Sequence, residues 1–499
     1  MQVGFVIDHR KCIGCHACTV ACKQENEVPL GSFRTWVKYV EKGTFPVVRR
    51  HFTVLRCNQC DRAPCVEICP VNALDKRPDA IVDLDRDKCI GCRACMQACP
   101  YDALYFHPDT GVAEKCHYCA HRTELGLEPA CVIVCPAEAI VSGDVSDPES
   151  KIARLIHDQP TSRRKLEKGT GPRVWYIDAL PEALVPGAAA EPAAWLWSER
   201  ATPPPPRVAG LDPVPDVTTT LDVAHAPQWG WHVWTYLVTK NIAAGAALIA
   251  PFLGLLGVRA GASRDYVPEV VALVFTAITS VLLIHDLGRP ERFWRLVLRP
   301  NRNSWLVKGA WVLMAFGATT SSSLVLRVLG QGTLADVARW LGVPLGVLVS
   351  GYSAWLFAQC RGRDLWLERG LFVRLVARAA FLGAAVAVLL PGAPGVPHTA
   401  GAFLAALSLV NTLILGGELR HRPHTTDARK AQVYLGRAIM RAQLPLFLAG
   451  SAILGAGHML IPSSTPAAVC GALAATLATV ALLLYERAWI RAGQAVPIS

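Results

Sequence analysis

Two patterns of apolar spacing divide the chain. From residue 1 to about 180, apolar residues come in short runs such as FTVLRC (52–57) and AIVDLD (80–85), separated by turn residues and never long enough to cross a bilayer. This pattern predicts a globular α+β head. From 181 to 228 the composition shifts to Ala and Pro, with PGAAAEPAA and ATPPPPR, which predicts an extended, semi-rigid connector without a core of its own. From 229 to 499 the apolar runs lengthen to at least about 20 residues, the length that a hydrocarbon core of about 30 Å requires. Eight spans are expected, at 231–256, 267–287, 305–329, 337–360, 371–390, 396–415, 439–461 and 466–490. The fifth carries Arg374 and Arg378 one turn apart, near an end from which arginine can snorkel to the interface.

Composition agrees with a chain partly in lipid, since 52% of the 499 residues are hydrophobic. A net charge of +11 could point to nucleic acid, but many basic residues lie in short loops between apolar runs, and no nucleic-acid partner is expected. Eight spans put both ends of the membrane half on one side. That side receives Arg289, Arg292, Arg295, Arg299 and Arg302, then Arg361, Arg363 and Arg369, and later Arg420, Arg422, Arg429, Lys430 and Arg437. Lys and Arg accumulate on the cytoplasmic face, so the head is expected there. The opening MQVGFVIDHRKC has neither a basic segment followed by an apolar stretch nor a twin-arginine pair, so no export address is expected.

The strongest chemical signal is cysteine. Of 18 cysteines, 16 precede residue 136. They form four groups: Cys12, Cys15, Cys18, Cys22; Cys57, Cys60, Cys65, Cys69; Cys89, Cys92, Cys95, Cys99; and Cys116, Cys119, Cys131, Cys135. The first and third follow C-x2-C-x2-C-x3-C, and three groups end in Cys-Pro. Three closely spaced thiolates can wrap one cubane while the next residues start a helix that carries the fourth to a neighbouring cluster. Sixteen thiolates satisfy four [4Fe–4S] clusters. Paired C-x2-C groups also build tetrahedral zinc sites, but zinc has no use for the third and fourth cysteines at these offsets. A disulfide framework does not suit a cytoplasmic domain. His117, between two ligands, reads as a donor to cluster sulfur or a surface residue, because the thiolates already complete the count. Clusters in a row move single electrons. No Gly-rich nucleotide loop and no nucleophile elbow marks a substrate site, so this chain is expected to carry none.

The head, over residues 4 to about 178, resembles the four-cluster iron–sulfur subunits of molybdopterin oxidoreductases such as dimethyl sulfoxide reductase and polysulfide reductase. The resemblance implies a ferredoxin-like fold and shared ligands: Cys12, Cys15, Cys18 with Cys135; Cys22 with Cys116, Cys119, Cys131; Cys57, Cys60, Cys65 with Cys99; and Cys89, Cys92, Cys95 with Cys69. The membrane half, through LLIHDLGRPERFW and the closing AGQAVPIS, resembles the NrfD/PsrC family of quinone-interacting anchors. Together they imply a fusion of two subunits, an all-α bundle of eight transmembrane helices, a separate molybdopterin-containing catalytic subunit, and menaquinone or ubiquinone in the bilayer.

A quinone exchanges two protons with its two electrons, so its site needs proton-handling groups beside an apolar surface. His285 and Asp286 close the second span, and His232 stands near the start of the first on the same face. Arg289 follows; the alternative for this stretch is a plain Asp286–Arg289 ion pair at a helix end. Lys240 lies too deep in the first span to snorkel, and is expected to face the bundle interior with a partner, as a pocket or proton-path residue. Glu418, Arg437 and Arg441 are read as bordering the head-side face. Two alternatives remain in view: b-type haems held by His232 with His285 and by His398 with His458, and a redox-driven proton-translocating module drawing on Lys240.

Overall fold

The computed structural model describes residues 2–190, 213–223, 228–392, 399–461 and 465–499. The strands of the head are β1 (Val3–Asp8), β2 (Thr35–Thr44), β3 (Val47–Arg56), β4 (Leu74–Lys76), β5 (Val82–Leu84), β6 (Leu104–Phe106), β7 (Ala113–Lys115), β8 (Ile140–Asp144), β9 (Thr161–Ser162), β10 (Val174–Ile177) and β11 (Val217–Leu221). β1, VGFVID, is apolar on both faces and entirely buried, so it sits inside its sheet. It pairs in parallel with β10 and antiparallel with β8, and β9 closes the edge.

The cysteine groups sit where chain turns hand over to short helices: α1 (Ala17–Glu25), α2 (Pro64–Ile68), α3 (Ala94–Ala98) and α4 (Ala130–Ile133). In the two CIGC motifs, Gly14 and Gly91 have φ of +70° and +72°, a region that a side chain enters only with strain. His16 and Arg93 follow at φ of 60° and 59°, so the loop curls over its cysteines before the helix begins. α2 leads into the hairpin β4–β5 and α3 into β6–β7, two copies of one ferredoxin-like unit.

The connector differs from expectation. β11 adds to the sheet beside β2, with Val217 opposite Lys42, and Val217 joins Val40, Leu180, Ala183 and Ala189 in a small buried cluster. Along VTTTL the alternate residues Val217 and Thr219 are buried, while its backbone pairs with the open edge of β2. Residues 181–190 and 213–223 therefore pack onto the head; 191–212 and 224–227 lie outside the described residues.

The membrane half contains α5 (Trp231–Ile249), α6 (Val267–His285), α7 (Trp305–Val328), α8 (Gly332–Ala358), α9 (Leu371–Val388), α10 (Ala400–Arg420), α11 (Thr426–Arg441), α12 (Leu444–Leu460) and α13 (Thr465–Ala495). Seven helices among the described residues are long and apolar enough to cross on their own, and α11 with α12, bent by 55°, supplies an eighth crossing if counted as one span. The span read at 439–461 is thus a turn of polar helix followed by a separate apolar one. Gln443 sits at φ +52° and Pro445 opens α12, which is where the helix breaks. The chain is a multi-pass membrane protein.

Both ends of the bundle meet the head. Gln494, in the last turn of α13, accepts from Gln97 Nε2 at 2.9 Å and donates to the Trp229 carbonyl at 2.9 Å, while the Ile498 carbonyl receives Arg164 at 3.4 Å. The crossings are therefore even in number, and the bent pair completes eight.

The head is docked by backbone contacts as well as tethered. The Gly288 N–H donates to the Gly91 carbonyl at 3.2 Å and the Arg289 N–H to the Ile90 carbonyl at 3.1 Å. A Cβ on Gly288 would stand 2.1 Å from the Gly111 carbonyl oxygen. Asn301 donates to the Cys69 carbonyl at 2.8 Å and Ser304 to the Ile68 carbonyl at 2.7 Å. Several loop arginines read as topology markers also grip the head; Arg292 donates to the Arg86 and Cys89 carbonyls at 2.9 and 2.8 Å. Gly288→Ala is expected to pry this seam apart, at about 1–3 kcal/mol as for other overpacked contacts, read as a lower melting temperature and faster proteolytic separation of head from membrane half.

Candidate iron–sulfur centres and the membrane junction

All 16 head cysteines are free thiols. Cys12, Cys15, Cys18 and Cys135 line one cavity, and Cys22, Cys116, Cys119 and Cys131 another. Cys60 lies within electrostatic reach of Cys57, Cys65 and Cys99, and Cys92 of Cys69 and Cys89. Cys95 has Cys89, Cys92 and Cys69 around it. Among the described residues no three or more His, Cys, Asp or Glu groups converge as a single metal ion needs. Thiols ringing a cavity suit a cubane of several atoms.

Burial pushes the thiols of Cys18, Cys99 and Cys119 up to about 11. Cluster binding must deprotonate them, and donors are in place for the resulting sulfur charge. The Ala139 N–H reaches Cys135 Sγ at 3.2 Å, the Gly91 N–H reaches Cys89 Sγ at 3.4 Å, and Asn26 Nδ2 reaches Cys22 and Cys119 at 3.7 and 3.9 Å. His117 borders the second cavity, and burial lowers it to about 3, so its ring is neutral. The residues present fit iron–sulfur clusters, and the chain carries them.

The groups also stand in order. Numbered in the order of the ligand sets implied above, Cys18 of the first faces Cys131 of the second; Cys116 of the second faces Cys57 of the third; Cys65 of the third faces Cys95 and Cys69 of the fourth. Beyond the fourth, Cys92 faces Asp286 of the membrane half, and Trp229 Nε1 donates to the Cys92 carbonyl at 3.4 Å. Exposed Cys15 marks the far end of this row and Cys92 the membrane end.

At that membrane end the structure brings three predicted residues together. His232 Nδ1 lies 3.2 Å from Asp286 Oδ1, and His232 Nε2 lies 2.9 Å from His285 Nδ1. The Trp231 ring stacks on His232 at 3.9 Å. His285 is exposed, on a helix whose Val274, Ile278 and Val281 are also exposed to the lipid side. At 2.9 Å no iron fits between the two ring nitrogens, so they do not suit a shared haem. His458 Nδ1 donates to the Ala467 carbonyl at 2.8 Å as a helix-end contact, and His398 lies outside the described residues.

The other two candidates go elsewhere. Arg289 turns to the head, its Nε donating to the Thr110 carbonyl at 2.6 Å, and Asp286 is paired with Arg93 at 3.8 Å instead. The reason is the docked backbone at Gly288, which aims the next side chain away from the bilayer. Lys240 is fully buried two turns deeper on α5, donating to Ser353 Oγ at 2.6 Å and the Ser350 carbonyl at 3.1 Å, with the Tyr352 ring 4.6 Å away. It has partners, as expected, but it does not touch the histidine pair.

Sequence reasoning misses an ionic row inside the bundle. Arg374 and Arg378 do not snorkel; Arg378 pairs with Glu486 at 3.0 Å and Arg374 with Glu418 at 3.1 Å, Arg374 being the least enclosed of the four. Tyr485 joins them, donating to Glu418 at 2.6 Å. Glu418 is thus an interior partner. Its i, i+4 neighbours give no hint, because the opposite charges come from other helices. Arg93 is missed too, being one variable residue inside a cysteine motif.

Residues 48–145 match the 4Fe–4S dicluster domain model, and residues 222–393 match the polysulphide reductase NrfD model. A tetrathionate reductase subunit of Salmonella typhimurium is 44% identical over 202 residues, covering 40% of this chain and 80% of that protein. A polysulfide reductase polypeptide of Wolinella succinogenes is 40% identical over 179 residues, 35% of this chain and 94% of that protein. A putative dimethyl sulfoxide reductase iron–sulfur subunit of Halobacterium salinarum is 42% identical over 205 residues, 35% of this chain and 78% of that protein. With its thiol-lined cavities in a row and its bundle joined directly behind them, the chain belongs to the family of reductase iron–sulfur subunits, here fused to an NrfD-type membrane domain.

Proposed function

We propose that this chain is the electron-transfer and anchor subunit of a quinone-linked complex, holding four [4Fe–4S] clusters and working with a separate molybdopterin-containing catalytic subunit. The ligand sets are Cys12, Cys15, Cys18 and Cys135; Cys22, Cys116, Cys119 and Cys131; Cys57, Cys60, Cys65 and Cys99; and Cys69, Cys89, Cys92 and Cys95. The clusters supply single-electron steps between the catalytic subunit and the bilayer. The observation that carries the reading is the placement of His232, Asp286 and His285 directly beyond Cys92. Clusters held there would supply single-electron transfer to or from a quinone, and His232 and His285 would take or give the protons that accompany it. Asp286, 3.2 Å from His232 Nδ1, orients its ring. The arginine-rich loops favour a cytoplasmic head; a reporter fused at the C-terminus is expected to be active only on the cytoplasmic side.

In the assembled complex, His285→Ala is expected to lower quinone-dependent turnover about 100-fold, the low end for a lost general acid–base group, while the catalytic subunit still reduces the clusters with artificial donors. An unchanged quinone rate removes His285 from the site.

A second reading, redox-driven proton translocation, is favoured by the buried ionic row. Glu368, Arg374 and Glu418 line a head-side crevice, and Tyr485, Arg378 and Glu486 continue inward to where Glu486 and Lys240 feel each other's charge. Glu486→Gln in reconstituted vesicles is expected to reduce protons moved per electron at unaltered cluster content; an equal ratio discards this reading.

A further inference from the structure

Two cations beside the cysteine groups are buried without a carboxylate in an ion pair among the described residues. Arg56, the last residue of β3, is 1% exposed, with Nη1 at 3.2 Å from Cys131 Sγ and its plane 4.4 Å from the Phe5 ring. Its Nε and Nη2 are buried and have no hydrogen-bond partner. The charges acting on it are those of Cys131, Cys116 and Cys18, so it stands between the first and second cysteine groups. Lys115, the last residue of β7, is 2% exposed and donates only to carbonyls, those of Val82 and, at 2.7 Å, Cys116. The charges on it are those of Cys57, Cys65 and Cys116, with Asp83 a lesser one, so it stands between the second and third groups.

A buried, unpaired cation costs several kcal/mol unless something anionic faces it. Four thiolates around a cluster make a net anion, and reduction adds one more negative charge to it. A fixed positive charge nearby therefore stabilises the reduced form more than the oxidised one. We propose that Arg56 and Lys115 are positioning charges that raise the reduction potentials of the clusters on either side of them, setting the profile along the row. This rests on the ligand sets given above. Beside the fourth group the cation is Arg93, and its charge is offset by Asp286 at 3.8 Å. The membrane-side centre therefore lacks this lift, and the profile peaks at the second centre, on which both cations act.

The test is redox titration followed by electron paramagnetic resonance on the full complex in membranes, with iron content measured alongside. Arg56→Met is expected to make reduction of the first and second centres at least tenfold less favourable, which is about 59 mV for one electron. Arg56→Lys should restore most of that, Lys115→Met should lower the second and third centres, and the fourth should stay in place in all three variants. Unshifted potentials in variants that hold all four clusters overturn the inference while leaving the ligand sets intact. A shift of the fourth centre as large as the others overturns it as well. If Arg56→Met fails to assemble, Lys115→Met and Arg56→Lys decide it by the same criteria. An iron content below four clusters in the unaltered complex would instead break the ligand sets.

Discussion

Three glycines hold the two halves of this molecule at working distance. Gly91 in the third cysteine loop, Gly111 in the β6–β7 hairpin and Gly288 at the end of the second span bring their backbones so close that a single added carbon at Gly288 would collide with a carbonyl oxygen. This seam sets how close Cys92 stands to the membrane half. It also fixes the rest of the junction. With Gly288 bonded to Gly91, Asp286 turns toward His232 while Arg289 turns back onto the head. One core then runs without interruption from the third and fourth cysteine groups into the aromatic residues Trp229, Phe357, Trp366 and Trp489. Fusion in one polypeptide raises the effective concentration of head and bundle for each other, and the seam supplies the geometry that a tether alone lacks.

Charge is handled differently on the two sides of the seam. Inside the bundle, where hydrocarbon gives no alternative partner, every charged side chain of the ionic row is answered by another: Arg378 by Glu486, Arg374 by Glu418 and Glu368. In the head, Arg56 and Lys115 are answered by thiols, which become anions only when iron is bound. Folding of the head and loading of its clusters are thereby coupled, since the buried cations are compensated only in the loaded state. The same low dielectric that makes these charges costly makes their effect on a neighbouring centre large.

Much of this is legible in the chain itself. The spacing of the cysteines points to clusters, and two sets of four thiols each line a cavity. The His-Asp pair at the end of the second span reads as a proton-handling site, with His232 on the same face. The misreadings share a cause. The Ala- and Pro-rich connector reads as free chain because the five residues VTTTL carry little local signal, and only the open edge of β2 makes them a strand. Arg374 and Arg378 read as interfacial because their partners, Glu418 and Glu486, lie far away in sequence.

What the sequence determined is therefore the local and the periodic: which thiolates can wrap a cluster, which stretches are long and apolar enough to cross a bilayer, which ionisable residues stand at the end of a span. These follow from covalent spacing and from the solvent each segment needs, and neither requires knowledge of the neighbours. The tertiary structure alone decided the order of the cysteine groups, the pairing of Arg93 with Asp286, the docking role of Arg289, the burial of Arg56 and Lys115, and the eighth crossing by a bent pair. Each of these depends on which distant segment supplies the opposite charge or the facing backbone, and that is fixed only when the chain has packed.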